Sequence, residues 1–596
     1  MRTPMRAAFR LALTGSLGLA LLSTAATPGR AAADPEKALP DSTLLFFKIK
    51  NVAELRESFK STEFGRLLAD PAVKPLKESV LEKLEEASKD VKAKLGVTLK
   101  ELAELPQGTV SVAVVGTTKP ESKIPVALLV SADAGKNAST MTDVMMKSTK
   151  QAEEAGAKVA TSDFKGLTLH IIQAPKEGDK PAPPPVVWTN AGSVFHISTD
   201  VDALQDVITN ANGRSNSLAS VESYAKVVAK LGEAPVSWFL DITKSVKAGV
   251  KAAQANGGGQ SPEAMIQLLG LDGLKAAAGT FTFNSGPYDS ISKIFVMSPA
   301  PAKGLLKLFS MPPANLRPEP WVPATVASYQ TFSWDLDAAY AGLNDLVNQF
   351  QPGMLDLLQQ QLVGPNGGEP LNLQKDIFGP LGDRMTLISD FKKPIKEDSQ
   401  RLLFGIALED AKAFQNTLNK IIALTGGSPA KREFQGATIF DFKLPEMPNP
   451  NGAANNPFKS GVASLTIAKD TLFVSTEPAL LEGVLRGGAS SLVDNPEFQA
   501  ISKQIPAKTS SLSFARSEEQ ARLSYDMIKS GQFEQALKQA NANNPDAEKV
   551  AKAIDKDKIP PFEVFAKYLS QGGGFGIQED DGMTFTNFTL RKSANP

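Results

Sequence analysis

The chain has no cysteine in 596 residues. That excludes thiol catalysis, cysteine-ligated zinc, iron–sulfur clusters, disulfides and a lipid-bearing lipobox cysteine. Histidine is almost as scarce: there are two, His170 and His196. Two imidazoles cannot build a three-histidine zinc site, although a carboxylate could complete a mixed one. Net charge is also missing, with 64 basic residues against 64 acidic. Nucleic-acid binding draws on a clustered basic face, and the balanced charge argues against a broad one. Tryptophan occurs four times, and Trp188, Trp238 and Trp334 fall in expected strands, where packing accounts for them. No apolar run beyond the first residues approaches the roughly 20 needed to span a bilayer. Long helical segments interrupt the strands, unlike an outer-membrane barrel.

The first 33 residues have the form of a secretory signal. Arg2, Arg6 and Arg10 make a basic start, Leu11 to Leu22 is mostly apolar, and Ala31-Ala32-Ala33 supplies small residues for cleavage. Without the leader, 60 basic residues face 64 acidic ones, a net charge of −4. The expected destination is the periplasm, the cell surface or the medium. A large exported domain can do without disulfides, so the lack of cysteine does not conflict with export.

What is present is an internal repeat. Phe164-Lys165-Gly166-Leu167-Thr168-Leu169 returns as Phe434-Gln435-Gly436-Ala437-Thr438-Ile439. Ser198-Thr199-Asp200 returns as Ser475-Thr476-Glu477, and Ser217-Leu218 as Ser491-Leu492. The spacing lies between 270 and 277 residues and the order is preserved. These matches predict two tandem modules, 38–297 and 324–592, joined by a Pro-rich linker at 298–323. Each module opens with a strand (Leu44 to Ile49; Val326 to Trp334) that runs into an amphipathic helix. Val52, Leu55 and Phe59 mark the first helix, and Leu336, Ala339, Tyr340 and Leu343 the second. A charged helix is expected from Val73 to about Leu95, with Leu76, Val80, Leu81, Leu84 and Val91 as its stripe. The Phe-x-Gly-x-Thr element is expected to open a strand in each module, and a Pro-rich excursion follows it as an exposed connection, Ala174 to Pro185 in the first and Leu444 to Phe458 in the second. Strand pairs with short turns come next, at Val186 to Thr189 with Val194 to Ser198, and at Ala463 to Ile467 with Thr471 to Ser475. Short connections between sequential strands imply antiparallel sheet. The expected class is α+β, two copies of a mostly antiparallel sheet with helices on one face.

Candidate chemistry can be tested by comparing the copies. Aligned without gaps, His170 matches Phe440 and His196 matches Phe473, so each position accepts a large aromatic ring and packing explains it. Ala134-Gly135-Lys136 lacks the early glycine and the following Ser or Thr of a phosphate loop. Gly257-Gly258-Gly259 and Gly572-Gly573-Gly574 lack the context of a dinucleotide site. Glu85-Glu86, Glu518-Glu519 and Asp580-Asp581 are acidic pairs without known facing geometry. The hydroxyls of Ser198-Thr199 and Ser475-Thr476 are placed to cap the helices that follow them. No catalytic, cofactor-binding or metal residue is expected on these grounds.

The strand entry Leu39-Pro40-Asp41-Ser42-Thr43, the Phe-x-Gly-x-Thr element and the Ser-Thr-Asp/Glu helix entry resemble an exported bacterial family, domain of unknown function three-three-five-two. That family has no settled activity, so the resemblance implies no site residues. The expectation is an exported, non-enzymatic binding or scaffolding protein of the bacterial envelope, with an envelope protein or a glycan as partner. The alternative is a carboxylate-dependent hydrolase with its site between the modules.

Overall fold

The computed structural model describes residues 34–592 apart from 88, 90–91, 94–96, 118–124, 177, 179–181, 212–215, 256–261, 364–369, 397–398, 425–428, 445–460, 489 and 535–554. The expected leader, residues 1–33, and most of the second Pro-rich excursion lie outside the described residues. The chain divides into two compact units, 1–262 with 274–297, and 263–273 with 298–596. Both are α+β.

Among the described residues the first unit has ten strands: β1 Thr43–Ile49, β2 Val110–Gly116, β3 Val126–Asp133, β4 Lys158–Phe164, β5 Leu167–Gln173, β6 Val186–Ala191, β7 Val194–Ser198, β8 Val236–Asp241, β9 Ala276–Ser285 and β10 Tyr288–Met297. They form an antiparallel sheet in the order β10-β9-β8-β1-β2-β3-β7-β6-β5-β4. The described residues of the second unit also form ten: β11 Ser328–Ser333, β12 Leu381–Phe391, β13 Gln400–Leu408, β14 Ala430–Phe434, β15 Ala437–Lys443, β16 Val462–Ala468, β17 Thr471–Ser475, β18 Ser511–Ala515, β19 Gly572–Glu579 and β20 Gly582–Leu590. Their order is β20-β19-β18-β11-β12-β13-β17-β16-β15-β14, the same path element for element.

The register agrees residue by residue. One row across the first sheet reads Phe295, Ala278, Phe239, Phe46, Ala113, Leu129, Ser198, Val187, Ile171, Ala160. Its counterpart reads Phe588, Gly573, Phe514, Tyr329, Ile388, Leu403, Ser475, Ser464, Asp441, Ala430. Successive strand residues alternate faces, so each row lies on one face. Helix Val201–Ala211 buries Ala203, Leu204, Val207 and Ile208, and helix Pro478–Arg486 buries Leu480, Leu481, Val484 and Leu485. The first set joins Phe46, Leu129, Phe239 and Phe295 in the largest core of its unit. Each fully buried leucine there contributes about 2 kcal/mol by leaving water.

Helices also pack on the opposite face, which the one-face expectation did not include. The strands carry apolar residues at both parities, Phe46 beside Phe47 and Val187 beside Trp188, so both faces need cover. Val52 and Leu55 of helix Val52–Lys60 pack with Phe47 and Val110. Helix Ala138–Glu154 brings Met145 and Ala152 to Trp188 and Ile197. Helix Ala411–Leu424 does the same in the second unit through Phe414 and Leu472.

Three local expectations need correction. Phe164-Lys165-Gly166 does not open a strand. It ends β4 and turns the chain into β5, so a hairpin of two strands stands where one strand was expected. Lys165 and Gly166 have φ of 53° and 79°, and Gln435 and Gly436 have 50° and 76°. Two consecutive positive φ values are the mark of the tight hairpin turn that matches strand twist, and glycine at the second position fits it. Second, 298–323 is no bare linker: Leu316, Trp321 and Val322 are buried in the second unit. Proline stops a ladder but does not prevent burial of its apolar neighbours. Third, Leu81, placed in the buried stripe of the charged helix, is exposed; the helix itself runs over Lys74–Ala87, and Lys89, Lys92 and Ala93 beyond it are helical too. Leu95 lies outside the described residues.

Candidate functional site

The segments that enter the two sheets carry the same signature, Pro35-Glu36 to Leu39-Pro40 and Pro318-Glu319 to Val322-Pro323, 283 residues apart. Pro40 bridges Ser217, and Pro323 bridges Ser491. Leu218 N–H donates to the Leu39 carbonyl at 2.9 Å, and Leu492 N–H to that of Val322 at 2.9 Å. These ties fix one glutamate over each sheet.

In the second unit the glutamate is fully used. Glu319 Oε1 lies 3.0 Å from Arg384 Nε and accepts from Thr386 Oγ1 at 2.5 Å. Its Oε2 accepts from the Tyr329 hydroxyl at 3.2 Å, and Arg384 Nη2 donates to that hydroxyl at 2.9 Å. Burial, followed by the Glu319 charge, pushes the Tyr329 phenol well above its ordinary range. The phenol therefore serves as a neutral donor.

In the first unit Glu36 Oε1 accepts from Lys48 Nζ at 2.8 Å. Its Oε2 is buried and has no hydrogen-bond partner among the described residues. Tyr224, on helix Glu222–Leu231, stands nearby, and its phenol is raised by burial first and then by the charge of Glu36. The aromatic packing is shared, with the hydroxyl moved. Phe46 and Tyr224 meet edge-on at 6.2 Å, Tyr329 and Phe498 at 6.4 Å. Tyr224 meets Phe239 at 5.2 Å, and Phe498 meets Phe514 at 5.8 Å. The tyrosine sits on the helix in one unit and on the strand in the other.

A cleft of about 70 Å³ opens beside Tyr224, with Glu36, Lys48, Leu231, Ser237 and Thr280 among its lining residues. Thr280, Ser237 and Lys48 are register partners. Their counterparts in the second sheet are Phe575, Leu512 and Thr331. Larger apolar side chains thus occupy the second unit at two positions where the first has small hydroxyls.

Both histidines lie in packing contexts. His170 stacks on Trp188 with ring centroids 4.0 Å apart and planes 10° apart. His196 Nδ1 lies 2.8 Å from Ser131 Oγ. Burial lowers the pKa of both, and that of His196 to about 4. The register confirms the pairings His170/Phe440 and His196/Phe473. Ser131 corresponds to Gly405, over which the Trp321 ring lies, and Trp321 meets Phe473 edge-on at 4.9 Å. Ala38 holds the place of Trp321 in the first unit. One site is apolar and ring-filled, and the other keeps a serine–histidine hydrogen bond.

The repeated hydroxyls act differently from the helix caps expected of them. Ser198 Oγ accepts from Asp200 N–H at 3.0 Å, and Ser475 Oγ accepts from Glu477 N–H at 3.2 Å. Thr199 Oγ1 accepts from Leu128 N–H at 2.9 Å, and Thr476 Oγ1 from Leu402 N–H at 3.0 Å. They close the turn and tie it to the neighbouring strand. The cap of the first helix is the Asp200 carboxylate, which accepts from Ala203 N–H at 3.0 Å.

Glu85, Glu86, Asp580 and Asp581 are exposed. Among the described residues, no group of three or more His, Asp and Glu is placed to hold a metal, and no helix is long and apolar enough to cross a membrane. Glu36 and Tyr224 are not among the residues the sequence marks as candidates. The sequence signal for Glu36 is the recurrence of Pro-Glu before a Pro, at Pro318-Glu319 within 298–323. No protein-family model, no curated protein and no solved structure matches the chain.

Proposed function

We propose that the chain arose by doubling of one sheet module and is an exported, non-enzymatic binding or scaffolding protein of the bacterial envelope. The carrying observation is what the matched positions share. They share packing rows, hairpin turns, strand ties and a glutamate–cation pair beside three aromatic rings. Each of these has a structural use within its unit, and both imidazoles correspond to phenylalanine. The units differ where recognition can vary: the Pro-rich connections, and the cleft beside Tyr224, whose lining is larger and apolar in the second unit. The basic start, the apolar run and Ala31-Ala32-Ala33 support export.

The test is affinity capture of the chain, expressed from its leader in a bacterial host, followed by identification of retained envelope components and of its amino terminus. A terminus at Asp34 and a saturable envelope partner are expected. An uncleaved leader, or turnover of ester, peptide or glycan substrates by the purified protein, contradicts the reading.

A further inference from the structure

We propose that the cleft of the first unit binds the uncharged, hydroxyl-rich end of a ligand, a vicinal diol such as a sugar or polyol presents. This deepens the binding reading above and rests on it. Glu36 Oε2 is a carboxylate oxygen, able only to accept, and it is buried without a partner among the described residues. A buried acceptor left without a hydrogen bond keeps its desolvation penalty, so a ligand that donates to it recovers that penalty. The same carboxylate holds Lys48 at 2.8 Å, and at the cleft mouth Lys50 pairs with Glu233 at 2.7 Å. With each charge already matched, a cationic donor would face two lysines, whereas a neutral donor would not. Lys48 Nζ has three N–H bonds, and Ser237 and Thr280 add hydroxyls that both donate and accept. Adjacent ligand hydroxyls suit this set: one donates to Glu36 Oε2 and its neighbour accepts from Lys48.

Leu231 and Val227 supply an apolar wall for the carbon skeleton. The volume, about 70 Å³, exceeds what a single water needs and suits a small end group rather than a whole oligosaccharide. The second unit argues that this space is specific. There the equivalent carboxylate is saturated by Arg384, Thr386 and Tyr329. Leu512 and Phe575 stand at the matched floor positions.

The experiment is saturation-transfer NMR on the purified protein with methyl glucoside, glycerol and n-butylamine at millimolar concentration. It compares the wild-type chain, Glu36→Gln, and Ser237→Leu combined with Thr280→Phe, with thermal unfolding as the check on folding. Transfer to methyl glucoside and glycerol is expected, several-fold weaker binding in Glu36→Gln, and at least tenfold weaker binding in the filled variant. Tighter binding of the glucoside assigns a glycan end, and tighter binding of glycerol a free polyol. The proposal is overturned by no transfer to either polyol, by equal affinity in Glu36→Gln, or by undiminished transfer in a folded filled variant. A preference for butylamine also overturns it. If the filled variant does not fold, Glu36→Gln decides. Failure here leaves envelope capture untouched, and failure of capture leaves polyol binding measurable, so the two readings fall separately.

Discussion

Replacing His196 by Phe together with Ser131 by Gly imports the pair found in the second unit, Phe473 and Gly405. In the folded first unit burial lowers the His196 pKa to about 4 from an ordinary 6.5. Between those values the unfolded chain binds a proton that the folded chain refuses. The stabilisation is therefore complete above about pH 6.5 and drains away as pH falls toward 4. At pH 5 such a shift corresponds to a loss of about 2 kcal/mol relative to pH 7. His170 has the same sign and is present in both proteins, so it cancels in the difference. The assay is urea unfolding at pH 7 and pH 5, read by pulsed hydrogen exchange in peptides from β3 and β7. The wild type should lose about 2 kcal/mol more than the variant over this interval. Equal pH dependence in the two proteins would refute the reasoning, because His196 would then not be held neutral by its surroundings.

Glu319→Gln should destabilise the second unit by about 2 kcal/mol, because Arg384 loses a half-buried partner, and should exceed the cost of Glu36→Gln, which disturbs a single paired cation; chemical denaturation of each variant checks the ranking. Leu204→Ala and Leu481→Ala, both at fully buried matched positions, should each cost about 3 kcal/mol in their own unit, and hydrogen exchange should confine each loss to that unit. Gly166→Ala and Gly436→Ala should cost about 1 kcal/mol each, since an added Cβ meets nothing within 4 Å and only the positive φ is strained. Gly65→Ala should cost more, because its Cβ would lie 2.1 Å from the Phe59 carbonyl oxygen.

The sheet was legible in the sequence wherever a strand alternated or ran apolar, as at Leu44 to Ile49 and Val194 to Ser198. The first strands of two hairpins were not. β4 has Thr161, Ser162 and Asp163 exposed at the sheet edge, so no buried face imprints a pattern on it. The second entry segment was misread because three prolines within Pro318 to Pro323 suggested a spacer, although Trp321 between them is a core residue. The imidazole pairings emerged from the alignment because hairpin turns fix register locally. The Glu36–Lys48 pair did not, since it depends on a segment crossing the sheet. The cleft was illegible for a further reason: it follows from Ser237 and Thr280 being smaller than residues some 275 and 295 positions later, a comparison that requires the register itself.

The absence of native cysteine makes the matched register directly measurable. Phe47 faces Trp238 across β1 and β8, and Gln330 faces Ser513 across β11 and β18, in equivalent rows of the two sheets. Cysteine pairs at Phe47/Trp238 and at Gln330/Ser513 should both form disulfides under mild oxidation, read by mass spectrometry of the linked peptides. Pairs slipped by one residue, at Phe47/Phe239 and Gln330/Phe514, should not, because their side chains point to opposite faces. A bond in one unit without its counterpart in the other, or slipped pairs that link as readily, would contradict the claim that the two halves place matched residues in matched positions.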